Sequence, residues 1–171
     1  RGSDIKSMDK VISAGTRVTP PVIGVLASLG HTNVNVHRRP VVSVLATGNE
    51  LTPPGSALIE GKIYDSNTSG LVAAVKACGA IPKPIGIASD NLESLHQKIT
   101  KALESDLIIT SAGVSKGDYD IVKDVLSSHG NLAFWSVRMR PAKPLAFGKL
   151  NKKDGKQVPI IGLPGNPVSA L

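Results

Sequence analysis

From Val41 onward the chain alternates short, nearly continuous apolar runs with segments of helical period, and that rhythm leaves few folds open. Val41 to Leu45, Ile81 to Ile87 and Leu107 to Ile109 read as buried strands. Between the first two, Asp65-Ser66-Asn67 offers a helix start, and Leu71, Val72, Val75 and Ala77 form a helical face that stops at Gly79. Asp90 or Asn91 caps a second helix through Leu92, Leu95, Ile99 and Leu103, and a third carries Ile121, Val122, Val125 and Leu126 and ends near Gly130. Leu132 to Met139, Leu145 to Phe147 and Val158 to Ile161 read as further strands, the last two joined by the polar turn Asn151-Lys152-Lys153-Asp154-Gly155. Such alternation predicts a three-layer α/β/α domain around a mostly parallel sheet. Composition agrees: hydrophobic residues make up 41% and aromatics only 3%, so Val, Ile, Leu and Ala carry the core, as buried parallel strands require.

Residues 1–40 break the rhythm. Pro20-Pro21 starts a helix with Val22, Val25, Leu26 and Leu29 that Gly30 closes, and Asn33 to His37 reads as a short strand leading into Arg38-Arg39-Pro40. This stretch reads as the tail of a preceding helical domain plus a linker, with the α/β domain spanning 41–171. The chain stops at a helix start with nothing to close it, the pattern of a fragment of something longer.

No apolar run reaches the length of a membrane span. The lone cysteine, Cys78, cannot form an internal disulfide, which favours a reducing, cytoplasmic setting, and its place in a helical pattern reads as a small core residue. The net charge of +7 is uneven: residues 41–137 hold 7 Lys/Arg against 10 Asp/Glu, and Arg138 to Leu171 hold 7 against 1. A basic tail beside an acidic middle fits nucleic acid or a small anion. With so few aromatics there is no stacking platform for single strands, and no nucleic-acid motif appears, so a small anionic ligand is the better reading. Four scattered histidines show no metal-ligand spacing, and there is no Walker loop, GxSxG elbow or Cys-x-x-Cys.

An open parallel sheet binds its ligands beyond the carboxyl ends of its strands. Three loops there have unusual composition: Thr47-Gly48-Asn49-Glu50; Ser111 to Asp120, with Gly113, Ser115 and Asp118; and Gly162 to Pro167, with Pro164, Gly165 and Asn166. Glycines let backbone N–H groups approach an anion, and a helix start adds positive potential. Each loop alone is a weak signal, since tight strand-to-helix turns use the same residues. Glu50, Asp90, Asp118 and Asp120 all adjoin predicted strand ends or helix starts, where carboxylates act as helix caps or, if they converge, as oxygen ligands for Mg²⁺. Arg140 and Lys143, stiffened by Pro141 and Pro144, supply two cations for an oxyanion; a basic edge strand would use the same residues.

The ordered set Thr47-Gly48-Asn49-Glu50-Leu51, Asp65-Ser66-Asn67, Thr110 to Ser115, Gly117-Asp118-Tyr119-Asp120, Arg140-Pro141-Ala142-Lys143-Pro144 and Gly162 to Ser169 strongly resembles the MoeA family of molybdopterin molybdenumtransferases, which includes the E domain of gephyrin. The resemblance implies insertion of molybdate into adenylylated molybdopterin with Mg²⁺ and release of AMP. It implies an elongated homodimer of multidomain subunits, a molybdopterin adenylyltransferase as functional partner, and Glu50, Asp90, Asp120 and Asp4 as the family's important acids. It further implies a β-rich lobe before this chain and a small β domain after it. The sequence departs from the family pattern at Ala112 and Ala142, where glycines are usual, at Arg140, where a lysine is usual, and at Ser136, where a basic residue is usual. An adenylyltransferase is disfavoured, because Thr110 to Asp120 lacks that family's Gly-Gly-Thr-Gly and its following Arg-Asp. A generic nucleotide-binding module is disfavoured by the ordered motifs. A non-catalytic scaffold role, as gephyrin has at synapses, remains open on sequence.

Overall fold

The computed structural model describes residues 4–111, 130–136 and 144–171. The third predicted helix and the calls at Gly113, Ser115, Asp118, Asp120, Arg140 and Lys143 lie outside them. The chain forms two compact units, Arg1–Arg38 and Arg39–Leu171.

In the first unit, α1 (Pro20–Ser28) opens on two prolines, whose fixed φ suits the first turn of a helix, and gives way at Gly30 with φ +81°. Asn33 to His37, expected as a strand, is not one. Among the described residues no strand lies beside it, and Val34 and Val36 are exposed, so neither ladder nor burial holds it in place.

The second unit is built on a six-stranded sheet in the order β4-β1-β5-β8-β7-β6. Its strands are β1 (Val41–Thr47), β4 (Ile81–Ala88), β5 (Leu107–Ser111), β6 (Gly130–Ser136), β7 (Pro144–Asn151) and β8 (Gln157–Leu163). β4, β1, β5 and β8 run parallel; β7 is antiparallel to β8, across the Asn151–Gly155 turn, and to β6. A second pair, β2 (Leu51–Thr52) with β3 (Ile63–Tyr64), lies between β1 and α2; two-residue strands are too short to show any period in sequence.

Helices cover both faces. α2 (Ser66–Ala77) presents Leu71 and Val75 to Val42 and Val44 on one face of β1. α3 (Leu92–Ala102) presents Leu95, Ile99 and Ala102 to Leu45 and Ile108 on the other. The switch of face between Val44 and Leu45 is the two-residue period of a strand. Ser43 points to the α3 side as a buried hydroxyl and is satisfied by Ser105, Oγ to Oγ 2.6 Å. Cys78, expected in the core, is exposed: it is the C-cap of α2, where the chain turns away through Gly79 at φ +82°. No helix among the described residues is long and apolar enough to cross a membrane.

Candidate functional site

In the sheet order β4, the next strand of this sheet after β1, and β6, the next after β5, lie on opposite sides of the β1–β5 pair, so the crevice beyond the carboxyl ends of that pair is the sheet's switch point. Register brings the loops there together. Ala46 pairs with Ser111, Ser111 with Leu163 and Thr47 with Ala88, so the carboxyl ends of β4, β1, β5 and β8 lie side by side. Thr47, Gly48, Ser111 and Pro164 are buried at this rim, while Glu50, Gly165 and Asn166 are exposed.

The turn after β1 is tightly held. The Gly48 N–H donates to the Ala88 carbonyl at 3.2 Å, and Gly48 takes φ +144°. A Cβ at that position would lie 2.5 Å from both Glu50 carboxylate oxygens, so the Glu50 side chain folds back over the bare Gly48 Cα. Glycine is needed here for the backbone angle, and it leaves the space that the Glu50 carboxylate occupies.

Asp90 reaches the same turn from β4. Its Oδ2 accepts from the Asn49 backbone N–H at 2.9 Å, and its own N–H donates to Asn49 Oδ1 at 3.2 Å. It is not the cap of α3: Asn91 is, its side chain accepting from Ser94 N at 2.8 Å. Lys62, from the loop before β3, donates Nζ to the Asn49 carbonyl at 2.9 Å and adds a cation that the sequence reading did not single out.

On the other side of the crevice, Asp65 caps α2 by accepting from Thr68 N at 3.0 Å, and Asn67 Nδ2 donates to the Gly165 carbonyl at 2.7 Å. The start of α2 is thereby tied to the loop after β8. Asn166 caps the short α4 (Pro167–Ala170) through Val168 N at 3.0 Å. Among the described residues Asn67 Oδ1 and Thr68 Oγ1 are buried without a hydrogen-bond partner, and buried acceptors of that kind call for a donor. Asn67 was visible in the sequence only as a possible helix start; its long-range bond to Gly165 has no local signature.

Thus Thr47, Gly48, Glu50, Asp90, Ser111, Pro164, Gly165 and Asn166 share one rim, and Asp4 belongs to the other compact unit. Among the described residues no group of three or more His, Cys, Asp or Glu gathers as a metal cluster. Glu50 and Asp90 nonetheless supply hard carboxylate oxygens to one turn, a donor type that suits Mg²⁺.

Residues 43–171 match the family model described as a probable molybdopterin binding domain. A molybdopterin molybdenumtransferase from Haemophilus influenzae is 42% identical over 99% of this chain and 41% of its own length. One from Nostoc is 41% identical over 95% of this chain and 37% of its own. The chain thus spans about two fifths of the length of these curated relatives. The crystal structure of the molybdopterin biosynthesis MoeA protein from Pyrococcus horikosii superposes with a TM-score of 0.76 at 34% identity, covering 93% of this chain and 38% of that one. The Thermus MoaB enzyme, at 15% identity and a TM-score of 0.56 over 77% of this chain and 84% of that one, shares the fold.

Proposed function

The chain belongs to the probable molybdopterin binding domain family, and we propose that it contributes the pterin and metal rim of an enzyme that inserts molybdate into adenylylated molybdopterin and releases AMP, as its molybdopterin molybdenumtransferase relatives suggest. The observation that carries this reading is the register that sets the Thr47–Glu50 turn, Ser111 and the Pro164–Asn166 loop on adjacent strand ends at the switch point. The start of α2 adds positive potential that suits the anionic parts of the substrate. The acceptors at Asn67 and Thr68, without a partner among the described residues, suit its N–H donors.

Glu50, Asp90 and Asp120 are proposed as the acidic rim of a Mg²⁺ site, with Glu50 and Asp120 offering oxygen ligands and Asp90 bonded to the turn that carries Glu50. When bound, that ion offsets charge on the pyrophosphate and on the departing AMP. Arg140 and Lys143 are proposed to grip molybdate or a phosphate, Gly113, Ser115 and Asp118 to line the pterin side, and Asp4 to act as a further acid. Residues 1–40 are read as the end of a helical linking domain, and the protein as a cytoplasmic homodimer receiving its substrate from a molybdopterin adenylyltransferase. Purified full-length protein given adenylylated molybdopterin, molybdate and Mg²⁺ should release AMP. Glu50→Gln should fold and lose the Mg²⁺-dependent part of that release. Undiminished release by that variant would overturn the reading.

A further inference from the structure

The two carboxylates on the described rim are held differently. Glu50 is exposed and folded over Gly48, its oxygens 2.5 Å from where a Cβ would stand. Asp90 has Oδ2 committed to the Asn49 N–H at 2.9 Å, and Asn49 returns the bond through Oδ1 to the Asp90 N–H at 3.2 Å. This pair joins the turns after two adjacent parallel strands, forty-one positions apart in the chain. The Asn49 amide immediately precedes Glu50, so where Asp90 holds it decides where the Glu50 side chain begins. The rest of the turn is fixed by bonds on either side: Gly48 N to Ala88 O at 3.2 Å, and Ile63 N to Glu50 O at 2.8 Å.

We propose that Asp90 is a positioning residue: with Asn49 it forms a reciprocal clamp that sets Glu50 in place, and it does not itself hold the metal. The inference rests on the reading of the rim as a Mg²⁺ site. An ionised carboxylate whose oxygen accepts a backbone N–H gives up part of what a cation would use, and the outer partners of a metal's ligands tune affinity by about 10- to 100-fold. Asn49 also matters chemically. It offers the Asp90 N–H an uncharged acceptor, where a carboxylate at 49 would crowd a third negative charge between Asp90 and Glu50.

Charge and acceptor can be separated. Asp90→Asn keeps an oxygen for the Asn49 N–H and discards the charge, whereas Asp90→Ala discards both. The full-length protein and both variants are titrated with Mg²⁺ alone by calorimetry, and exchange of the Asn49 amide is followed without metal. Asp90→Asn should keep Mg²⁺ affinity within about threefold and keep Asn49 protected. Asp90→Ala should lose roughly tenfold or more in affinity together with that protection. Equal loss of affinity in both variants, with Asn49 still protected in Asp90→Asn, would make Asp90 a ligand and overturn the proposal. Unchanged Asn49 exchange in Asp90→Ala would show that there is no clamp. Wild-type protein that binds no Mg²⁺ would sink the metal reading of the rim, while the Asn49 exchange still decides whether the clamp exists.

Discussion

Replacing Gly48 by alanine separates two roles that one residue plays at the rim. The first is conformational: φ +144° is a glycine angle, and an L-residue held there costs on the order of 1–3 kcal/mol. The second is spatial: the new methyl would stand 2.5 Å from both Glu50 oxygens and 2.7 Å from Cδ. Ordinary contact needs about 3.5 Å, so the carboxylate must retreat by about 1 Å. Because the atoms in the way are the free end of a flexible side chain, that retreat adds little to the stability cost. Its effect falls on function, where a 1 Å misplacement is worth roughly 10²-fold. Gly48→Ala in the full-length protein should therefore lower stability by about 1–3 kcal/mol, or about 2–12 °C in Tm, and cut Mg²⁺-dependent AMP release by about a hundredfold. In a Glu50→Ala background the same substitution should cost nearly the same stability, since the contact contributes little of it. A wild-type rate in Gly48→Ala would refute the argument. So would a stability loss that disappears once Glu50 is shortened, for then the contact and not the backbone would set the cost.

Ser43→Ala should destabilise the domain by about 1–3 kcal/mol by orphaning the buried Ser105 hydroxyl, and adding Ser105→Ala should recover part of that loss; urea unfolding reads both, and a double variant worse than the two singles combined would sink the account. Lys143→Ala in the full-length protein should weaken binding of molybdate or the adenylylated pterin by roughly ten- to a hundredfold, and unchanged affinity for both would end its role as an anion grip. Glu104 is held below its ordinary pKa, first by the hydrogen bond from Lys83 at 2.6 Å and then by that lysine's charge. Its contribution is therefore present above the ordinary carboxylate range and fades as pH falls through the lowered value. Urea midpoints of wild type and Glu104→Gln should differ slightly at neutral pH and converge in acid; a gap that widens on acidification would contradict the sign.

The strands and helices of the α/β unit were legible because their signals are local: a continuous apolar run for β1, a four-residue spacing for α3, a capping residue at Asp65. What sequence could not supply was pairing. The bonds between Asp90 and Asn49 and between Asn67 and Gly165 join residues 41 and 98 positions apart, and no spacing rule anticipates them. The same gap explains the misreadings. Asn33 to His37 has strand-like residues but no strand to pair with among the described residues, and Cys78 has helical spacing but falls where the helix ends. Asp90 stood next to a helix start and looked as fit a cap as Asn91; only the geometry shows that its carboxylate reaches back to another strand's turn.

The prolines of β4 reach beyond its own fold. Among the described residues β4 is an outer strand of the sheet, and the Ile81 N–H donates inward to the Pro40 carbonyl at 2.9 Å. Alternation then turns the nitrogens of positions 82 and 84 outward, and both are proline, with no hydrogen to give. A stray strand laid along that side, from another copy or from an unfolded chain, would find two consecutive donors missing from its ladder. The sheet is sealed there against continuation, and the four parallel strands whose ends carry the rim are shielded from edge-to-edge aggregation on that side.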